Sequence, residues 1–236
     1  MDVMFVFLIS LLVGSFLGAF TYRLPRKMDF IKGRSFCDVC KVKLLWYDNI
    51  PLLSYILYGG KSRCCNQKIS IRYPLIELAT AIGFSFLFYF SFSPIYYILY
   101  TITLIILVID LEHQFIPDEL VWLTMLYALC YMPYAPYGLE LTPYSYLFSG
   151  FVFSLFLLAL YFVTKGRGMG LGDVKLVIPL GMLVGLNKLI YFVSLSFIIG
   201  GIVSAIMLIL KRAKLKTKIA FGPFIIIAFW LITLFR

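Results

Sequence analysis

Long apolar runs separated by short polar blocks dominate the chain. A helix needs about 20 predominantly apolar residues, with a range of about 17–25, to cross the hydrocarbon core of a bilayer. Eight runs meet or approach that length: 3–22, 73–92, 94–112, 119–136, 144–164, 174–187, 189–210 and 219–235. The sixth is short and carries Lys175 and Pro179, so its standing as a span rests on orientation.

The basic residues give that orientation. The block 23–72 holds eleven Lys or Arg, and the block 211–218 holds five: Lys211, Arg212, Lys214, Lys216 and Lys218. Short loops rich in Lys and Arg stay in the cytoplasm. With the N-terminus outside, the first run delivers 23–72 to the cytoplasm. The block 211–218 returns there only if 174–210 crosses twice, and the polar pair Asn187-Lys188 is where that hairpin belongs. The pattern therefore predicts an all-α polytopic membrane protein of about eight transmembrane helices, both termini outside, with 23–72 as one cytoplasmic loop domain. The polar segments 110–118 and 165–173 then fall on the cytoplasmic side together.

Composition agrees. Hydrophobic residues make up 62% of the 236 positions and charged residues 14%, against about 25% charged in ordinary soluble domains. The net charge of +10 would suit nucleic acid if it formed a solvated patch. Here it lies in blocks flanking apolar runs, so the lipid bilayer is the expected partner and nucleic acid is excluded. The first run follows Asp2 rather than a basic segment and precedes no small-x-small cleavage pattern, so it reads as a span and not as a cleaved signal.

Two carboxylates stand out. Asp110 ends the apolar run Ile102–Ile109, and a carboxylate there is costly unless it faces the bundle interior or water. Asp173 closes Gly166-Arg167-Gly168-Met169-Gly170-Leu171-Gly172, where four glycines in seven residues allow close backbone approach. Singly, each also reads as structural: Asp110 as an interfacial helix end, Asp173 as a helix N-cap. Together, at one face, they fit an aspartic dyad, in which one carboxylate activates water and one carboxylic acid protonates the carbonyl oxygen. Helix ends favour negative charge at the N-terminus and disfavour it at the C-terminus, which makes Asp173 more readily the base and Asp110 more readily the acid, without fixing the roles. Such a pair titrates as a unit.

Other schemes fit poorly. There is no His-Glu-x-x-His, His113 is the chain's single histidine, and Gly14-Ser15-Phe16-Leu17-Gly18 is not a nucleophile elbow. Glu77, after Tyr73-Pro74, either lines the same cavity or reaches the interface. Asp118 and Glu119 follow Pro117 and suit a helix start. Glu112 is a weaker neighbour of Asp110.

Four of the five cysteines lie in the basic loop: Cys37-Asp38-Val39-Cys40, then Cys64-Cys65. Two spaced pairs would mark a structural zinc. The second pair is adjacent, which leaves both zinc binding and plain reduced thiols open.

In order along the chain, Gly14-Ser15-Phe16-Leu17 with Tyr22-Arg23-Leu24-Pro25-Arg26, Trp46-Tyr47-Asp48-Asn49-Ile50-Pro51, Arg72-Tyr73-Pro74-Leu75-Ile76-Glu77, Ile109-Asp110 with Ile116-Pro117-Asp118, and Gly170-Leu171-Gly172-Asp173-Val174-Lys175 resemble the type IV prepilin leader peptidases, membrane aspartic proteases with a Gly-x-Gly-Asp motif. The resemblance covers nearly the whole length. It implies Asp110 and Asp173 as the catalytic pair, with Gly170, Gly172, Lys175 and Glu77 supporting. It implies cleavage of the short basic leader of prepilins or pseudopilins at the cytoplasmic face of the inner membrane, without a cofactor. It also implies possible methylation of the new N-terminus by S-adenosylmethionine, in an N-terminal region 1–93 preceding a six-helix peptidase domain 94–236. Zinc on Cys37, Cys40, Cys64 and Cys65 is the implied metal site, although Ser62 stands where the family has a cysteine, and Gly18 where it often has asparagine. Asp38, Asp48 or lipid headgroups are left to recognise the basic leader. The competing readings are a Gly-x-Gly-Asp protease of other membrane helices, which lacks the fragments in 23–72, and a proton-coupled transporter, whose carboxylates belong at mid-bilayer depth.

Overall fold

The structure, a computed structural model, describes residues 2–29, 35–37, 39–131, 143–166, 168–211 and 219–234. Asp38 and most of the basic block 211–218 therefore lie outside the described residues. The helices are α1 (Val3–Arg23), α2 (Leu53–Leu57), α3 (Arg72–Tyr89), α4 (Ile95–His113), α5 (Asp118–Tyr131), α6 (Pro143–Val163), α7 (Leu171–Val184), α8 (Leu186–Ile209) and α9 (Gly222–Leu234). Among the described residues there is no β-strand, only the isolated bridges Phe36–Lys43 and Lys61–Lys68. Among the described residues, four helical segments are long and apolar enough to cross a membrane: Val3–Arg26, Ile95–His113, Tyr144–Val163 and Leu186–Ile209. α9 is apolar but shorter.

Two compact units, Met1–Ile105 and Ile106–Arg236, divide the chain within α4. In the first, α1 packs along α3. The contact is close because Gly14 has no side chain: a Cβ there would lie 2.6 Å from the Glu77 Cα. Small residues let helix backbones approach where lipid supplies no hydrophobic drive between helices. Tyr100 ties α4 to α3 by donating to the Ala79 carbonyl at 2.8 Å.

In the second unit α7 is central, packing against α5, α6, α8 and α9. Gly150 of α6 and Gly181 of α7 meet so closely that a Cβ on Gly181 would lie 2.9 Å from the Gly150 Cα. Ser149 Oγ donates to the Gly181 carbonyl at 2.8 Å, and Ser154 Oγ to the Val174 carbonyl at 3.2 Å. The hydroxyls satisfy themselves on backbone, as the hydrocarbon interior requires.

α7 begins at Leu171, three residues before the expected start at 174. Gly170 takes the N-cap position, and Asp173 lies inside the first turn, where its Oδ2 accepts the Gly170 N–H at 3.1 Å. Asp173 is thus not the N-cap that the spacing suggested. It reaches back from the first turn to a donor that the helix leaves free. The break between α7 and α8 falls at Gly185, with φ +78°, just ahead of Asn187-Lys188.

Candidate active site

Asp110 stands in the last turn of α4 and Asp173 in the first turn of α7. Both are buried, at 4% and 6% exposure, and the two carboxyls interact electrostatically. A third element joins them. The backbone N–H of Gly222, at the start of α9, lies within reach of both carboxyls. A Cβ on Gly222 would come to 2.5 Å from Asp110 Oδ2 and 3.2 Å from Ile116 Cδ1. Ile116 in turn covers Gly172, whose Cβ would lie 3.2 Å from Ile116 Cβ. Asp110, Ile116, Gly172, Asp173 and Gly222 form one cluster. Within it Asp110 Oδ2 is buried without a hydrogen-bond partner among the described residues. An acceptor left that way is unfavourable, and an incoming hydroxyl or water would relieve it.

Gly222 was absent from the sequence-based site. Its signal was available: Gly222-Pro223 opens a helix directly after a basic block, and the orientation count places that block at the same face as both aspartates. The helix-end argument for acid and base also changes, because α9 presents its N-terminus to Asp110, which the sequence had set against a C-terminus alone.

The cysteine loop in the first unit has its own geometry. Cys37 N–H donates to the Val42 carbonyl and Lys41 N–H to the Cys37 carbonyl, both at 2.9 Å. Ser62 N–H donates to the Gln67 carbonyl at 2.7 Å, and Asn66 N–H to the Ser62 carbonyl at 2.8 Å. Lys41 and Asn66 both turn through positive φ, +58° and +55°. The two turns repeat, with Ser62 in the place of Cys37 and Cys65 in the place of Cys40. Cys64, one position earlier, supplies the fourth thiol. All four Sγ atoms lie within 4.8 Å of one another, with Cys37–Cys65 at 3.7 Å and Cys40–Cys64 at 3.0 Å. Tetrahedral zinc with Zn–S of about 2.3 Å spaces its sulfurs by about 3.8 Å, so the four thiols fit that metal. Burial pushes the Cys37 thiol up, but hydrogen bonds from Ser62 and from the N–H groups of Cys40 and Val39 outweigh it and bring it down to about 6. The Cys64 contact carries Cys40 the other way, to about 12.

Residues 8–91 match the model of the bacterial Peptidase A24 N-terminal domain, and residues 97–205 that of the type IV leader peptidase family. The prepilin leader peptidase/N-methyltransferase of Pseudomonas aeruginosa is 34% identical, across 95% of this chain and 87% of the relative. Proteins of the same description from Vibrio cholerae and Neisseria gonorrhoeae are 32% and 33% identical, across 94% and 95% of the chain and 92% and 87% of each relative. The chain belongs to the type IV leader peptidase family. No solved structure matches it.

Within this family member the remaining predicted residues separate. Gly170 and Gly172 are at the aspartates, one as the donor to Asp173 and one beneath Ile116. Lys175 Nζ instead pairs with Asp118 Oδ1 at 2.8 Å, both side chains exposed, and so links the starts of α7 and α5. Glu77 is buried in the first unit, where its Oε2 accepts the Leu52 N–H at 2.8 Å. Asp48 Oδ2 accepts the Leu45 N–H and Oδ1 pairs with Arg63 at 3.4 Å. Glu112 is exposed and lies 3.9 Å from His113.

Proposed function

We propose that this protein removes the short basic leader of type IV prepilins or pseudopilins, with Asp110 and Asp173 as the catalytic pair, and methylates the new N-terminus with S-adenosylmethionine. The observation that carries the reading is the convergence of two buried carboxyls on the Gly222 amide, in a member of a leader peptidase family. One carboxylate takes a proton from water as its oxygen bonds to the scissile carbonyl carbon, and the other carboxyl gives its proton to the carbonyl oxygen. Collapse of the tetrahedral intermediate breaks the C–N bond, and the leaving nitrogen is protonated by the pair, which returns to its starting charge.

Eight membrane spans with both termini outside put this site at the cytoplasmic face of the inner membrane, where a basic leader resides. The region 1–93, with its loop domain, is the methyl-transfer part, and 94–236 is a six-helix peptidase domain. Cys37, Cys40, Cys64 and Cys65 hold a zinc ion that fixes the loop. Gly170 and Gly172 support Asp173, and Lys175 supports it indirectly by pairing with Asp118. The test is cleavage of a prepilin in detergent or liposomes, with mass spectrometry of the product. Trimming at the leader junction by wild type alone, and not by Asp110→Asn or Asp173→Asn, supports the reading. Trimming by both variants overturns it.

A further inference from the structure

The short helix α2 is tied to the membrane-crossing part of the first unit. Leu52, just ahead of it, donates its N–H to Glu77 Oε2 at 2.8 Å. Glu77 lies against α1, where a Cβ on Gly14 would come 2.6 Å from the Glu77 Cα. Gly14 is nine residues before Arg23, the last residue of α1. At about 1.5 Å per residue that is about 13 Å of helix, within the segment Val3–Arg26 that is long and apolar enough to cross a membrane. In a bilayer crossed by that segment, this depth exceeds the interfacial layer of about 5–8 Å. The start of α2, one side chain's reach from Glu77, therefore belongs at headgroup level and not out in water. Irregular backbone at such depth must have its polar groups satisfied by protein, and Glu77 does this for Leu52.

The side chains that α2 exposes are apolar. Leu53, Ile56 and Leu57 recur at the i, i+3, i+4 spacing of one helix face and are 50%, 71% and 69% exposed. Trp46 is 76% exposed, and Ser54 Oγ ties its turn to α2 by donating to the Tyr47 carbonyl at 2.7 Å. Scattered apolar residues on a surface are ordinary, whereas a group of large ones on one element marks an interaction site. Tryptophan concentrates at the membrane–water boundary. Charge agrees. Asp48 is the single acidic residue between 41 and 70, and Arg63 pairs with it at 3.4 Å. Lys41, Lys43, Lys61 and Lys68 are exposed, and lysines beside a membrane are drawn to anionic headgroups.

We propose that Trp46 and the Leu53, Ile56 and Leu57 face of α2 form a lipid-docking surface, seated at the headgroup–acyl boundary of an anionic bilayer. The assignment rests on α1 spanning the membrane and on neither catalytic activity. Lipid then holds the cysteine loop against the leaflet from one side and Glu77 holds it from the other.

Full-length wild type and Trp46→Phe, reconstituted in vesicles of phosphatidylcholine and phosphatidylglycerol, test this. The substitution removes one of the chain's three tryptophans at an exposed position, so the difference between the two emission spectra is the Trp46 signal. Phosphatidylcholine brominated near the top of its acyl chains should quench most of that signal, and acrylamide in the water should quench little of it. Ile56→Glu combined with Leu57→Glu, measured by the same subtraction, should reverse both results. The wild-type measurement decides the matter by itself if the glutamate variant fails to fold. A Trp46 signal quenched by acrylamide and untouched by brominated lipid would overturn the proposal by placing the face in water. A signal shielded from both would overturn it by placing a second copy of the chain there. Unchanged quenching in a folded glutamate variant would remove α2 from the surface. No turnover is read, so each of these results leaves the peptidase reading where it stands.

Discussion

Gly222 touches Asp110. The α9 backbone approaches the carboxyl so closely that a single added carbon on Gly222 would lie 2.5 Å from Oδ2, nearer than any ordinary Cβ contact. The absent side chain is therefore a requirement of the site. It lets the Gly222 N–H, at the start of α9, come within reach of the carboxyl, where a helix N-terminus favours negative charge.

Gly222→Ala tests that requirement. The methyl group meets Asp110 on one side and Ile116 on the other, so the carboxyl must move. Displacements on the order of 1 Å cost about 100-fold in rate, and cleavage should fall by about that factor while circular dichroism and the detergent melting temperature hold. Near-normal kcat in the alanine variant would show that the contact is incidental.

Asp110→Asn and Asp173→Asn should each lower kcat by about 100-fold or more, the usual contribution of a positioned acid or base, and the double variant should lose little beyond the worse single one. Glu112→Gln and Asp118→Asn should retain most activity, because both carboxylates are exposed whereas Asp110 and Asp173 are buried. Single-turnover cleavage separates these outcomes. Equal losses in all four variants would dissolve the distinction between the dyad and its neighbours.

The cysteine turns predict an unusual dependence on Cys64. Purified protein should carry about one zinc per chain by metal analysis, and Cys64→Ser should lose it. Adding Ser62→Cys to that variant should restore binding, because Ser62 occupies the position that repeats Cys37. Acidification should release the metal, because protons compete with it for the thiolates. Failure of the double variant to recover zinc would place the fourth ligand elsewhere.

Lys175 and Asp118 form an exposed pair, so a double-mutant cycle with Lys175→Met and Asp118→Asn should give a coupling of only about 0.2–1 kcal/mol. Added salt should reduce it further. Cleavage should decline modestly in either single variant. A loss comparable to that of Asp173→Asn would move Lys175 into the catalytic cluster.

Much of this was legible along the chain. Helix positions followed from apolar runs because a membrane span must be long and must satisfy its backbone internally, and α4, α6 and α8 begin and end within about three residues of the runs that predict them. Asp110 was conspicuous because charge at the end of such a run is expensive, and Asp173 because it closes a glycine-rich segment. Local spacing could not show that Asp173 reaches back to Gly170, since helix capping is settled by which N–H lacks a partner.

The sequence by itself determined the membrane class and most helical elements, and marked both aspartates and the cysteines as candidates, each from composition or near-neighbour order. Only the tertiary structure decided that Gly222 closes on Asp110, that Lys175 pairs with Asp118 at the rim, and that Cys64 fills a place left by Ser62. Those relationships join residues far apart in order or displaced by two positions. They depend on how closely helix backbones and turns approach, which is a matter of packing that no local pattern encodes.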